Sequence, residues 1–587
     1  MRKIVRHIVL LMLSFLLLRC ANVVSPTGGP KDDTPPVVFS TSPNNNSVNF
    51  TGKTIHITFD EYVTLDNPTK NVLISPPMEK SPVFKLNGKT LMVRFEEELK
   101  PETTYSINFG NAIKDLHEGN ILKNYTYIFS TGNYTDSLSL IGTVYNAYKL
   151  EAEKEMYVML YDTGKENANI DSLPYLSLPD YITMTDDKGK FVFRALSDKN
   201  YLLFALKDGN SNMLYDLPNE NIAFYPVYVR PVYIQDKLFN IPKDTVTSSE
   251  TEENLQDSII DIYVDTTLNY TVNECTLYSY LQEDSIQKLF KKELVEDGLL
   301  RFVFRYPAQD VKIEVQETLP DTFDIYPLYS QRQDTVLWYF TPNKDSLLVS
   351  INYDTLIHDT IHFSLKPKTV KRRRQETEVK KLSISNNTSQ GKLIPEHDLI
   401  LSFPEPVTKY DMHDTTWFIT SKDTVFNNIE FEKIDNDGMK FKMLNTIEPE
   451  EKYTIIIPDS VFYSFRGYTN DVTKLSFSIA DYNEFGNIYI TVMIPDDIPQ
   501  AIVYLTDEND KIKDTRIVRE NGEIAFEFLK PGKYKLKAIL DKDGNGIWSP
   551  GNYLRKIQPE KVIIYNNVFE IKANWDIDLD EPWILDK

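Results

Sequence analysis

The chain has 587 residues, 86 acidic against 64 basic side chains for a net charge of −22, and two cysteines. That length is too great for one hydrophobic core, so several domains are expected, and the charge argues against the basic face on which nucleic-acid binding depends, the one dense basic run, Lys371 to Arg374, reading as a solvated linker. With Cys20 in the leader, Cys275 stands alone in the remainder, which excludes an intramolecular disulfide there.

The N-terminus carries Arg2, Lys3 and Arg6, then an apolar run from Ile8 to Leu18, then Cys20. So short a run does not cross a bilayer as a permanent helix. The pattern predicts a lipoprotein-type signal over 1–20, with Cys20 as the lipidation site and the membrane reached through that lipid. Arg19 occupies the place usually held by a small residue, so a plain cleaved signal and an uncleaved anchor remain open. A Pro-rich spacer, 21–35, follows and extends at about 3 Å per residue.

Downstream, Lys53 to Phe59, Thr90 to Phe95, Thr104 to Phe109 and Tyr125 to Thr131 alternate apolar and polar side chains between Pro, Asn, Asp or Gly turns, which predicts strands. Abundant Tyr, Phe, Val, Ile and Thr favour the same reading throughout. GKFVFRALSDKNYLLFALKDGN from Gly189 aligns without a gap on GEIAFEFLKPGKYKLKAILDKDGN from Gly522, pairing Tyr201 with Tyr534 and Asp208 with Asp541. Upstream, FDEYV at Phe59 pairs with FPEPV at Phe403. A two-module block is therefore used twice. The expected modules are 36–133 and 136–240, then a β-rich middle domain 257–365 and a basic linker 366–377, then 378–481 and 484–587.

TPPVVFSTSPNNNSVNFTGKTIHITFDEYV, LKPETTYSINFGNAIKDLHEGN and YIFSTGN together resemble the bacterial Ig-like domain of the S-layer (SbsA) type, a likeness that returns in 384–481. The module after each resembles prealbumin-like or carboxypeptidase-regulatory-like sandwiches. The expected fold class is all-β: tandem Ig-like and prealbumin-like β-sandwich domains in an elongated array. With its CANVVSPTGGPKDDTPP start, the whole resembles the Ig-like-domain lipoproteins of Bacteroidota. That resemblance implies fold and envelope location, and no particular activity. Surface-exported lipoproteins of that phylum often carry a charged tag directly after the cysteine. Here Lys31, Asp32 and Asp33 lie further along, which favours the periplasmic side of the outer membrane over the cell surface.

Candidate chemistry sits in the loop after the last repeated strand. Asp541, Asp543, Asn545, Gly546, Ser549 and Asn552 fall at positions one, three, five, six, nine and twelve of an EF-hand-like loop, where alternate oxygens wrap a hard cation. The first copy offers Asp208, Asn210, Asn212 and Asp216, with Glu220 one place late and no glycine after Asn212. Asp, Asn and Gly also close turns without an ion, so calcium competes with a simple turn; no other cofactor is expected. Tyr215 and Trp548 hold equivalent places and are read as plugs of the sandwich base.

Asp followed by Ser or Thr and an aliphatic residue or Thr marks Ser137, Ser172, Thr245, Ser258, Thr266, Ser285, Thr335, Ser346, Thr355, Thr360, Thr415 and Thr424, where roughly two or three instances follow from ordinary composition. The pattern resembles an O-glycosylation motif of exported Bacteroidota proteins; the competing reading is a turn entering a strand. His358 and His362 lie on a strand pattern, about 13 Å apart, too far for one zinc. The sequences GKT at Gly52 and at Gly88 lack the earlier glycine of a phosphate loop. The leading expectation is a non-catalytic scaffold or binding module for an unidentified protein or glycan, and no enzyme. The alternative is a hydrolase-associated protein acting on polysaccharide or peptidoglycan, with its catalytic part in 257–365.

Overall fold

The computed structural model describes residues 32–586, except 165–172, 235–273, 283–286, 309–310, 331, 342–344, 355–356, 366–379, 412–415, 421–424, 427–428 and 450. Cys20, Ser172, Thr245, Ser258, Thr266, Ser285, Thr355, Thr415 and Thr424 lie outside the described residues, as does the whole of the basic linker. The chain divides into two compact units, residues 1–145 with 151–279, and 146–150 with 280–587. Among the described residues no helix is long and apolar enough to cross a membrane.

In the first unit, the alternation of Thr54–Phe59 buries Ile55, Ile57 and Phe59 while His56 faces out. This strand sits between Val38–Ser42 and Thr90–Arg94, with Val83–Asn87 completing a four-stranded sheet. A second sheet, Leu73–Ser75, Thr104–Asn108 and Thr126–Ser130, shares its core, where Phe50, Phe95, Tyr105 and Phe129 pack ring on ring. Val63–Leu65 and Ile113–Asp115 form a separate ribbon. Both GKT sequences stand at strand openings, as turn residues should.

The following module is one seven-stranded sheet, ordered Tyr181–Met184, Tyr157–Asp162, Tyr201–Leu206, Asn221–Phe224, Cys275–Leu281, Leu138–Asn146, Lys190–Leu196. Its two ends share one core, Val158, Leu160 and Leu203 meeting Val144, Phe191 and Phe193. Hydrogen bonds tie it to the Ig-like module, among them a pair at Ser75, whose Oγ donates to Ile182 O at 3.1 Å and accepts from Ile182 N at 2.8 Å.

In the second unit, Leu289–Glu296, Leu299–Phe304, Thr335–Phe340 and Ile325–Tyr329 make one sheet and Lys312–Val315, Ser346–Asp354 and Ile357–Ser364 another, around a core that includes Phe302, Trp338 and Ile351. The middle block is thus a sandwich. His362 sits on a strand opposite Leu348 with its side chain exposed, as the strand reading requires. The next module repeats the first: Ser385–Asn386, Ile400–Ser402, Lys440–Met443 and Phe431–Lys433 in one sheet, Lys452–Ile457 flanked by Trp417–Thr420 and Thr473–Ile479 in the other, and Val407–Tyr410 with Phe462–Ser464 as the ribbon. The last module places Gly486–Met493 between Gly522–Leu529 and Ile577–Ile584, and Gln500–Asp507 between Ile512–Val518 and Gly532–Asp541.

One expected boundary is corrected. Cys275–Leu281, assigned from sequence to the block 257–365, is a strand of the second module, where Cys275 and Leu277 enter the core. It pairs with Leu138–Asn146 just as Ile577–Ile584 pairs with Gly486–Met493, so the second module ends near residue 281 rather than 240. The physical reason is that this strand completes a sheet that would otherwise leave Leu138–Asn146 with an open edge.

Candidate metal-binding loops

Both loops begin where a central strand leaves its sheet, at Leu206 and at Asp541. In the second copy Asp541 is fully buried. Its Oδ1 accepts from Gly544 N at 2.8 Å and Asn545 N at 3.2 Å, and its Oδ2 from Gly546 N at 2.8 Å and Gln500 Nε2 at 2.6 Å. Asp208 does the same in the first copy, accepting from Asn210, Ser211 and Met213. Tight closure requires left-handed backbone at two places. The second copy fills them with Gly544 (φ 71°) and Gly546 (φ 80°), whereas the first forces Ser211 and Met213, each at φ 61°. A side chain in that region costs about 1–2 kcal/mol.

The closing acid is not Asn552. That residue forms its own turn, with backbone bridges to Ile557 and Oδ1 accepting from Arg555 N. Glu560, buried at 5% exposure, closes the loop instead, its Oε1 accepting from Lys542 N at 2.6 Å and its Oε2 from Ser549 N at 2.9 Å. Glu220 is its counterpart, accepting from Gly209, Asp216 and Leu217. Sequence reasoning missed Glu560 because extra residues between Ser549 and Glu560 break the twelve-residue spacing. The usable signal was the shared run that follows, Glu220-Asn-Ile-Ala-Phe-Tyr225 against Glu560-Lys-Val-Ile-Ile-Tyr565.

Carboxylate oxygens of Asp541, Asp543 and Glu560 lie within 4.8 Å of one another. Burial, with Asp543 and Asp541 adding repulsion, pushes the Glu560 carboxyl up to about 7. Ser549 Oγ donates to Asp543 at 2.7 Å, and Asn545 Nδ2 donates to both Asp543 and Ser549. The predicted residues Asp541, Asp543, Asn545 and Ser549 are therefore brought together, and Asn552 is not. In the first copy the charge is met internally, since Asn210 Nδ2 and Asn212 Nδ2 both donate to Asp216, at 3.1 and 2.6 Å. The donor set of the second copy suits calcium: hard oxygens, three acids and glycines that permit the turn.

Tyr215 is buried and its ring lies tilted against that of Tyr175, centroids 5.2 Å apart. Trp548 packs on Ile502, Ile539 and Val562 and donates its indole N–H to Glu560 O. Trp548 thus packs on a patch separate from the core of its sandwich rather than plugging its base. Of the described glycosylation candidates, exposed Ser137 precedes a strand, half-buried Thr335 and Ser346 are the first residues of theirs, and exposed Thr360 lies within one.

Residues 32–131 match the bacterial Ig-like domain family. No curated protein matches the chain. Among solved structures, the S-layer protein SbsC is 14% identical over 91% of this chain and 67% of its own, with a TM-score of 0.13. The native Escherichia coli alpha-2-macroglobulin is 11% identical over 90% and 42%, with a TM-score of 0.13. BcpA, the major pilin subunit of Bacillus cereus, is 10% identical over 76% and 98%, with a TM-score of 0.12. The chain spans less than half the length of the Escherichia coli protein, and TM-scores this low carry no argument. The all-β fold stands on its own strands and on the Ig-like match.

Proposed function

We propose that the chain is a non-catalytic scaffold or binding module of the bacterial cell envelope, tethered by lipid at Cys20, on the periplasmic side of the outer membrane. The observation that carries this is the way neighbouring sandwiches are locked. Between the middle module and the second Ig-like module, the Arg466 side chain is 2% exposed, donating to Glu405 at 2.7 Å, Glu296 at 2.6 Å and Asp297 O at 2.8 Å. Its guanidinium lies over Tyr468 and Tyr339, and Leu299, Leu328 and Tyr339 pack with Met439 and Phe465 beside it. Gly298 permits this closeness, because a Cβ there would stand 2.8 Å from both Arg466 Cδ and Phe340 O. A buried charge held on both sides fixes one orientation of two modules, which is what a spacer needs and a hinge does not.

Calcium at Asp543, Glu560, Asn545 and Ser549, with Asp541 organising the backbone, belongs to the same reading: it would stiffen the last module, and so would glycans at exposed sites such as Ser137. The deciding experiment incubates the mature chain with purified peptidoglycan and envelope polysaccharide. The expected outcome is no release of reducing ends or peptides. Sustained release that survives repurification would replace the scaffold with the hydrolase alternative.

A further inference from the structure

The two Ig-like modules carry the same face in two different states. In the second, Val407 pairs with Ser464, and Phe465 N donates to Pro406 O. In the first, Val63 pairs with Asp115, and Leu116 N donates to Tyr62 O. This register equates Glu61 with Glu405, Tyr62 with Pro406, Leu116 with Phe465 and His117 with Arg466. In the second module the face is covered: Glu405 is 3% exposed, Pro406 is buried and Phe465 packs against Tyr326 at 5.7 Å. In the first it is open, with Tyr62 51% and Leu116 52% exposed and His117 also exposed.

The chemistry of the open face differs in one respect. Where the second module supplies its own arginine to Glu405, the first offers a histidine, which lacks the guanidinium fork. Asp60, Glu61 and Glu118 remain, with Lys89 as the nearby cation, its Nζ donating to Asp60 O. Burial and the neighbouring Asp115, Asp60, Asp32 and Glu118 hold the Glu61 carboxyl above its usual range, as expected of an acid with too little positive charge around it. The acids do not converge as metal ligands do: among the described residues that arrangement occurs only at Asp541, Asp543 and Glu560.

We infer that the face formed by Glu61, Tyr62, Leu116 and His117 is a docking site for a separate protein that inserts an arginine or lysine against Glu61 and lays an aromatic or aliphatic surface on Tyr62 and Leu116. Its occupant would reproduce in trans the contact that Arg466 makes in cis. The inference rests on the scaffold reading, since it names the kind of partner the scaffold holds.

The test places a photo-crosslinking amino acid at Leu116 of the full chain, expressed in its native cells, and maps the cross-linked residue by mass spectrometry. The expected result is one heterologous protein joined within a few residues of an arginine or lysine. Its yield should fall about tenfold in Glu61→Arg, as for a broken interfacial ion pair, while Glu98→Gln, at an exposed acid of the same module outside this set, leaves the melting temperature and the yield intact. Cross-links to the chain's own residues 21–31, or to a second copy, would overturn the inference while leaving the scaffold reading in place. So would an adduct indifferent to Glu61→Arg in a folded variant, or no adduct.

Discussion

Replacing Glu560 by Gln separates the charge of the loop from its shape. The Glu560 carboxyl is held at about 7 in the folded protein against 4.5 for a free side chain. A group whose folded value is raised stabilises the fold fully below the unfolded value, and that contribution is lost as pH rises through the folded one. Between pH 4.5 and about 7 the last module should therefore lose about 3 kcal/mol without calcium. Glu560→Gln keeps an acceptor for Lys542 N or Ser549 N but carries no charge, so its stability should be nearly flat across that window. Calcium should restore the wild type at pH 8, by about 2.7 kcal/mol at a hundredfold excess over its dissociation constant, and leave the variant little changed. Trp548, whose indole N–H bonds Glu560 O at 3.0 Å, is the local reporter: urea unfolding of fluorotryptophan-labelled protein, followed at its own 19F resonance in EGTA, reads the module directly. A wild-type midpoint unchanged between pH 5 and pH 8, or a variant with the same slope, would refute the reasoning.

Arg466→Leu should destabilise the second unit by about 3–5 kcal/mol, because Glu405 is left buried without its cation; chemical denaturation with a tryptophan probe measures it. Gly546→Ala should cost about 1 kcal/mol of the last module, since the position is left-handed yet has open space around it; Met213→Gly should gain a comparable or smaller amount, both read by thermal unfolding. Cys275 is 3% exposed, and burial raises its thiol to about 11, so iodoacetamide should label it only after unfolding; labelling at the native rate of a free thiol would contradict its place in the core.

Strands such as Thr54–Phe59 and Lys190–Leu196 were legible because period-two patterning has one side to bury. The repeat was legible because it preserves Gly189, Tyr201 and Asp208 in spacing with Gly522, Tyr534 and Asp541. What escaped depends on contacts between residues far apart in the chain. Cys275–Leu281 joins the sheet of Leu138–Asn146, and no local pattern announces that partner. Arg466 is a single charge in a turn, given meaning by Glu405, 61 residues away, and Glu296, 170 residues away. Glu560 was hidden by an insertion that broke the spacing a loop motif relies on.

A scaffold of this kind requires the middle and second Ig-like modules to move as one rigid body. Native-state hydrogen exchange of the mature chain in rising denaturant measures this, by comparing amides of the turn around Gly298 with those of Phe462–Ser464. Both should open with one free energy and one denaturant slope, and Arg466→Leu should split them. Independent opening in the wild type would contradict that requirement.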